Sequence, residues 1–103
     1  MTILSMQRIR VQASAANKED AIRQAGELLV NTGCTKPAYV AGMLTREATM
    51  STYLGNGVAI PHGMYENHAD VLQTALSVIQ FPDGVLWDED DEDELAYLVI
   101  GIA

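Results

Sequence analysis

Two stretches in the second half of the sequence limit what the chain can fold into. Thr74–Phe81 carries apolar side chains on both alternating faces, and Leu95–Ile102 is apolar at nearly every position. Runs of about eight residues bounded by turn formers read as strands buried on both faces, which belong in the middle of a sheet. Val58–Ile60 is a shorter strand signal, and the alternation over 7–13 a modest one. Pro82-Asp83-Gly84 is expected to turn the chain after the first run, and Val85–Trp87 to lead into an acidic loop.

Helical signals lie upstream. Asn17 suits an N-cap, Glu19 and Asp20 favour a first turn, and Ala21, Ile22, Ala25, Leu28 and Leu29 recur with helical period up to a stop at Gly33. A second helix is expected from about Pro37 to Arg46–Thr49, with Val40, Met43 and Leu44 on one face. Residues 65–72 read as a short helix or loop. Helices followed by buried strands predict an α/β fold, a small mixed β-sheet flanked by helices in a single domain over 1–103. A strand covered on both faces needs more than the two helices legible here. The fold is therefore expected to be cut short at the C-terminus, or completed by something outside the chain.

Charge narrows the partners. Residues 1–46 hold all six basic groups against three acids, whereas 47–103 hold eleven acids and no Lys or Arg. Seven of those acids run unbroken from Asp88 to Glu94, as expected of a solvated loop. The run lacks the spacing and glycine of a calcium loop, so no metal is assigned, and a surface so acidic disfavours nucleic acid. No apolar stretch is long enough to span a bilayer, and Met1–Met6 lacks the features of a signal peptide. One cysteine, Cys34, offers no internal disulfide, which suits a reducing compartment, and a cytoplasmic location is expected.

The residue with chemical promise is His62, in a loop after a short strand, between rigid Pro61 and permissive Gly63. A neutral imidazole can attack phosphorus through its unprotonated nitrogen while the other N–H is held by a hydrogen bond. A histidine in a loop is by itself as compatible with a solvated or structural role. Its neighbours decide. Gly55-Asn56-Gly57-Val58-Ala59-Ile60-Pro61-His62-Gly63 closely resembles the phosphorylation-site segment of the fructose/mannitol class of enzyme IIA domains. These belong to the bacterial phosphoenolpyruvate-dependent sugar phosphotransferase system. Lys18-Glu19-Asp20-Ala21-Ile22 with Gly26-Glu27-Leu28-Leu29 resembles the family's first helix. Tyr39, Met43-Leu44, Arg46-Glu47 and Thr52-Tyr53-Leu54 resemble the approach to its histidine. Gln80–Val85 and Leu98–Ala103 resemble two later strands, and the acidic segment between them is most like the mannitol-type members. The likeness is strongest over 17–103.

The resemblance implies that His62 accepts a phosphoryl group from a histidine phosphocarrier protein. It implies onward transfer to a cysteine on a IIB domain, which serves a membrane IIC component; no cofactor is implied. Arg46 matches an arginine placed near the active histidine, where a guanidinium could grip phosphate oxygens. The alternative for Arg46 is a surface pair with Glu47 or another helix residue. Asn56 and Gly63 are candidate pocket-lining positions, although Asn56-Gly57 is also a strong turn dipeptide. His62 is expected in a shallow depression with an apolar rim. His68 and Cys34 lie outside the motif, His68 expected solvated and Cys34 a small structural thiol. Family members continue past the strand matching 95–102 and carry a second histidine there; no position here supplies it. Two other readings remain at this point, a regulatory IIA-like phosphoprotein and a docking fragment that transfers poorly.

Overall fold

A computed structural model describes residues 3–103 of the chain, so that residues 1 and 2 of the expected domain lie outside them. The helices form where the periodicity placed them. α1 spans Lys18–Asn31, its N-terminus capped by the Asn17 side chain, which accepts from the Asp20 N–H at 2.8 Å. Gly33 (φ 77°) ends it: the Gly33 and Cys34 N–H groups donate to the Val30 and Leu29 carbonyls, the reversal of a glycine-stopped helix. α2 spans Ala38–Thr49, starting directly after Pro37.

Among the described residues, five strands make one mixed sheet in the order β1-β4-β5-β3-β2. They are β1 (Ile9–Arg10), β2 (Tyr53–Gly55), β3 (Val58–Ala59), β4 (Leu76–Asp88) and β5 (Asp91–Ile102). β5 is central, antiparallel to β4 and parallel to β3. The alternation over 7–13 yields only the two residues of β1, because a 3-10 turn takes Met6–Arg8.

Pro82-Asp83-Gly84 does not end its strand, contrary to expectation. β4 runs through it with a bulge: five steps from Gln80 to Val85 face two from Leu98 to Ala96. The long partner β5 recaptures the chain on the far side of the turn residues, and a bulge accommodates a proline that cannot donate to the ladder. The acidic segment is likewise no loop. Only Glu89 and Asp90 turn; Asp88 pairs with Asp91, and Asp91–Glu94 already belong to β5. Seven acids thus decorate the tip of a long hairpin.

α1 packs on one face of β4 and β5, and α2 packs on α1. That face supplies the core: Ile79, Phe81, Val85, Trp87, Ala96 and Val99 against Ala21, Ile22, Ala25 and Leu29. Contact is close enough that a Cβ on Gly101 would lie 3.1 Å from that of Ala25, while the buried Ser77 hydroxyl donates to the Ala25 carbonyl at 2.9 Å. The expected shortfall of covering helices is what the sheet displays: among the described residues, only one face of the two long strands packs against a helix. Leu76, Val78, Leu98, Ile100 and Ile102 stay half-buried on the opposite face, where no helix lies among the described residues. A continuous apolar run records tolerance of burial on each face, and here α2 spends its apolar side on α1 instead of on the sheet.

Candidate functional site

His62 stands where β3, were it not interrupted, would end. Val58 lies opposite Leu98, Ala59 opposite Val99 and His62 opposite Ile102, so 58–62 runs alongside 98–102 in one parallel register. Pro61 is fully buried, and its carbonyl accepts the Ile102 N–H at 3.0 Å. The imidazole is half-buried, with Nδ1 2.8 Å from the Ile60 carbonyl oxygen. A carbonyl only accepts, so in the neutral ring Nδ1 carries the proton and Nε2 keeps the lone pair.

Gly63 departs from the part expected of it. Its φ is not in the left-handed region, and it does not loosen the chain. It is a close approach: a Cβ there would stand 2.6 Å from Cε1 and 2.9 Å from Cζ of Tyr39. The buried Tyr39 hydroxyl accepts the Gly63 N–H at 2.9 Å and donates to the Ile102 carbonyl at 2.9 Å. Burial holds the Tyr39 hydroxyl above its ordinary pKa, with the Gly63 bond opposing that shift in part. Nothing local marks Tyr39 for this role, since an aromatic beside Val40 and Met43 reads as core. The same holds for Asn67, whose side-chain oxygen accepts the Met64 N–H at 2.8 Å and fills the space over Gly42. These contacts seat the 3-10 segment Tyr65–Asp70 against α2.

The other candidates are dispersed. Asn56 (φ 55°) is exposed in the turn joining β2 to β3, six residues and roughly 20 Å of extended chain from His62. Arg46 sits two helical turns, about 10 Å of rise, beyond Tyr39 on the same side of α2. Its Nη1 donates to the Met50 carbonyl at 2.6 Å, and no hydrogen bond joins it to His62 among the described residues. Nor does it pair with Glu47. That carboxylate is buried and accepts from the Thr52 N–H, the Thr52 hydroxyl and the Trp87 Nε1–H, with Lys18 at 3.8 Å. An open groove of about 830 Å³ adjoins this network, lined by Lys18, Glu47, Trp87 and Glu94 but by none of the candidate residues. His68 is exposed, with Nδ1 2.8 Å from the Tyr65 carbonyl oxygen, and Cys34 is a buried free thiol. After Gly63 come half-buried Met64 and Tyr65, the latter 85% exposed with its ring centroid 5.2 Å from that of His68.

Comparison with known proteins bears directly on this arrangement. The family model described as "Phosphoenolpyruvate-dependent sugar phosphotransferase system, EIIA 2" matches residues 2–103. The chain belongs to this family.

Among the relatives of this EIIA domain, the mannitol-specific phosphotransferase enzyme IIA component of Halalkalibacterium halodurans is 48% identical over 102 residues. That match takes in 99% of this chain and 68% of the relative. The mannitol-specific EIICBA component of Pasteurella multocida is 50% identical over 101 residues, 98% of this chain but 16% of the relative's length. The chain therefore spans about a sixth of that multidomain protein and about two thirds of the shorter one. Its fold matches a structure of the complex of enzyme IIAMTL and phosphorylated enzyme IIBMTL from Escherichia coli. The TM-score is 0.94 at 46% identity, covering all of this chain and 71% of the matched one. The mixed sheet with helices expected from the sequence is thus the fold of the mannitol-type EIIA domains.

Proposed function

We propose that this EIIA domain carries a phosphoryl group in mannitol-type sugar uptake, on Nε2 of His62. The observation that supports this most is the 2.8 Å contact between His62 Nδ1 and the Ile60 carbonyl. It leaves Nε2 as the nucleophile and fixes the ring plane before any partner arrives. In the proposed first step, Nε2 attacks the phosphorus of a phosphohistidine on the histidine phosphocarrier protein. The new P–N bond forms as the donor's P–N bond breaks, and that bond's electron pair returns to the donor imidazole. The positive charge gained by the His62 ring is offset by the Ile60 carbonyl dipole at Nδ1–H.

In the second step a cysteine thiolate of a IIB domain attacks the same phosphorus, and His62 recovers its Nε2 lone pair. The IIB domain then serves a membrane IIC component. Support for these partners comes from the fusion named in the Pasteurella relative and the phosphorylated enzyme IIB in the matched complex. Arg46 is proposed to meet the phosphoryl oxygens. Its Nη1 holds the Met50 carbonyl, and its remaining N–H groups have no protein partner among the described residues. The proposed place of work is the cytoplasm, which a lone buried thiol and the absence of any membrane-length apolar helix among the described residues both suit.

The test is mass spectrometry at neutral to alkaline pH, after incubation with phosphoenolpyruvate, enzyme I and the histidine phosphocarrier. One acid-labile phosphoryl group on the His62 peptide, absent in His62→Ala, is expected. A folded chain that takes up none, or takes it up elsewhere, sinks the proposal.

A further inference from the structure

We infer that Tyr39 is a positioning residue for phosphoryl transfer: its hydroxyl sets the backbone on the C-terminal side of His62 and through it the aim of Nε2. The inference rests on the phosphohistidine reading above and extends it to a residue that bonds the peptide next to His62.

Three hydrogen bonds hold the backbone around His62, and two of them depend on one hydroxyl. On the N-terminal side, the Pro61 carbonyl accepts the Ile102 N–H at 3.0 Å. On the C-terminal side, the Gly63 N–H donates to Tyr39 Oη at 2.9 Å, and Tyr39 Oη donates onward to the Ile102 carbonyl at 2.9 Å. The two peptides flanking His62 are thereby tied to the two ends of Ile102, the residue opposite His62 in the sheet. With both ties made, the backbone torsions at His62 have little freedom, and the 2.8 Å reach of Nδ1 to the Ile60 carbonyl is retained. The hydroxyl has no substitute. Tyr39 is 5% exposed and its ring covers Gly63, so water has poor access to the Gly63 N–H once the oxygen is removed.

Tyr39 comes from the first turn of α2, and its bonds span 24 positions to Gly63 and 63 to Ile102. α2 thus acts as a strut, and its N-terminal turn registers the histidine loop against the central strand. Gly63 belongs to the same device, because only a residue without Cβ lets the tyrosine ring lie close enough for its hydroxyl to reach the Gly63 N–H.

The experiment compares wild type, Tyr39→Phe and Ser77→Ala. The last removes a buried hydroxyl bond between α1 and β4, on the other side of β5 from His62, and serves as the control for lost stability. Tyr39→Phe keeps the ring and deletes the oxygen. Three readouts are taken: the His62 imidazole tautomer by nitrogen-15 NMR on unphosphorylated protein, hydrogen exchange of the Gly63 amide, and the kcat and KM for phosphoryl uptake from the histidine phosphocarrier. Tyr39→Phe is expected to mix the two tautomers, to speed exchange of the Gly63 amide, and to lower kcat about 10-fold at unchanged KM. Ser77→Ala is expected to leave all three as in wild type. Equal tautomers in wild type and Tyr39→Phe, or a kcat loss matched by Ser77→Ala, overturn the positioning role. A wild-type chain that accepts no phosphoryl group while its tautomer still responds to Tyr39→Phe sinks the carrier reading alone and upholds the positioning.

Discussion

Glu47 and Trp87, forty positions apart, meet inside the protein: the indole Nε1–H donates to the Glu47 carboxylate at 3.1 Å. The same carboxylate receives the N–H and hydroxyl of Thr52, so one buried group joins the end of α2, the entry to β2 and the β4-β5 hairpin. Glu47→Ala leaves the buried Thr52 N–H and Trp87 Nε1–H unpaired and is expected to cost roughly 2–4 kcal/mol. Urea unfolding followed by far-UV circular dichroism, which does not depend on the single tryptophan, measures this. A double-mutant cycle with Trp87→Phe should return a coupling of about 1 kcal/mol or more, and additive losses would show that the bond contributes nothing.

Gly63→Ala drives a methyl into the Tyr39 ring. The expected cost is about 1–3 kcal/mol, as for other overpacked sites, with slower phosphoryl uptake on His62. Pairing it with Tyr39→Leu, which vacates the ring's space, should recover part of the stability and none of the uptake rate. Denaturation midpoints and the uptake assay on the two variants decide the matter.

The raised pKa of Tyr39, due first to burial, sets an alkaline limit. In the unfolded chain the phenol ionises around its ordinary value of 10.0, whereas in the fold it stays protonated to a higher pH. The folded state binds the extra proton in that window, so this part of the stability is intact below pH 10 and lost as pH rises through the folded value. Urea midpoints measured below and above pH 10 should fall in wild type and fall less steeply in Tyr39→Phe. Parallel slopes would contradict the assignment.

The acidic hairpin tip behaves in the same direction at lower pH. Partial burial of Glu94, then repulsion from Asp88 and Asp91, lifts its carboxyl above the ordinary 4.5. A raised folded pKa gives stability that is complete below 4.5 and is lost as pH climbs through the folded value, so at neutral pH the tip is strained by its own charge. Added salt, which screens exposed charges beyond about 10 Å at 0.1 M, should raise the thermal midpoint at pH 7. Glu94→Gln should raise it too and shrink the salt response. A midpoint indifferent to salt would count against this account.

The two faces of the sheet should differ in sensitivity. Ile79 is fully buried under α1, and Ile79→Ala is expected to cost about 2–5 kcal/mol. Ile100 is half-buried on the opposite face, which no helix covers among the described residues, so Ile100→Ala should cost about 1 kcal/mol, as befits part of one side chain's burial. Equal losses in urea denaturation would mean that the second face is covered as well.

What could be read in advance follows the range of the interactions. The Asn17 cap acts on Asp20, Gly33 stops the helix carbonyls of Leu29 and Val30, and Pro37 starts α2, all within a few residues. The segment around His62 is likewise contiguous, so the family to which the chain belongs was legible as a motif. Pro82-Asp83-Gly84 misled because the same residues serve a turn or a bulge, and the choice falls to β5, a partner outside any local window.

By itself, then, the sequence determined the helices and their limits, the strand-forming runs and the choice of His62 as the proposed phosphoryl carrier, since each is set by neighbours along the chain. Tertiary structure alone decided which face of the sheet is covered, where the Glu47 carboxylate is satisfied, and that Tyr39 holds the peptide after His62. Hydrogen bonds across 24, 40 and 63 positions exist only once the chain has closed those loops, and no local pattern of residues encodes which partner will be waiting there.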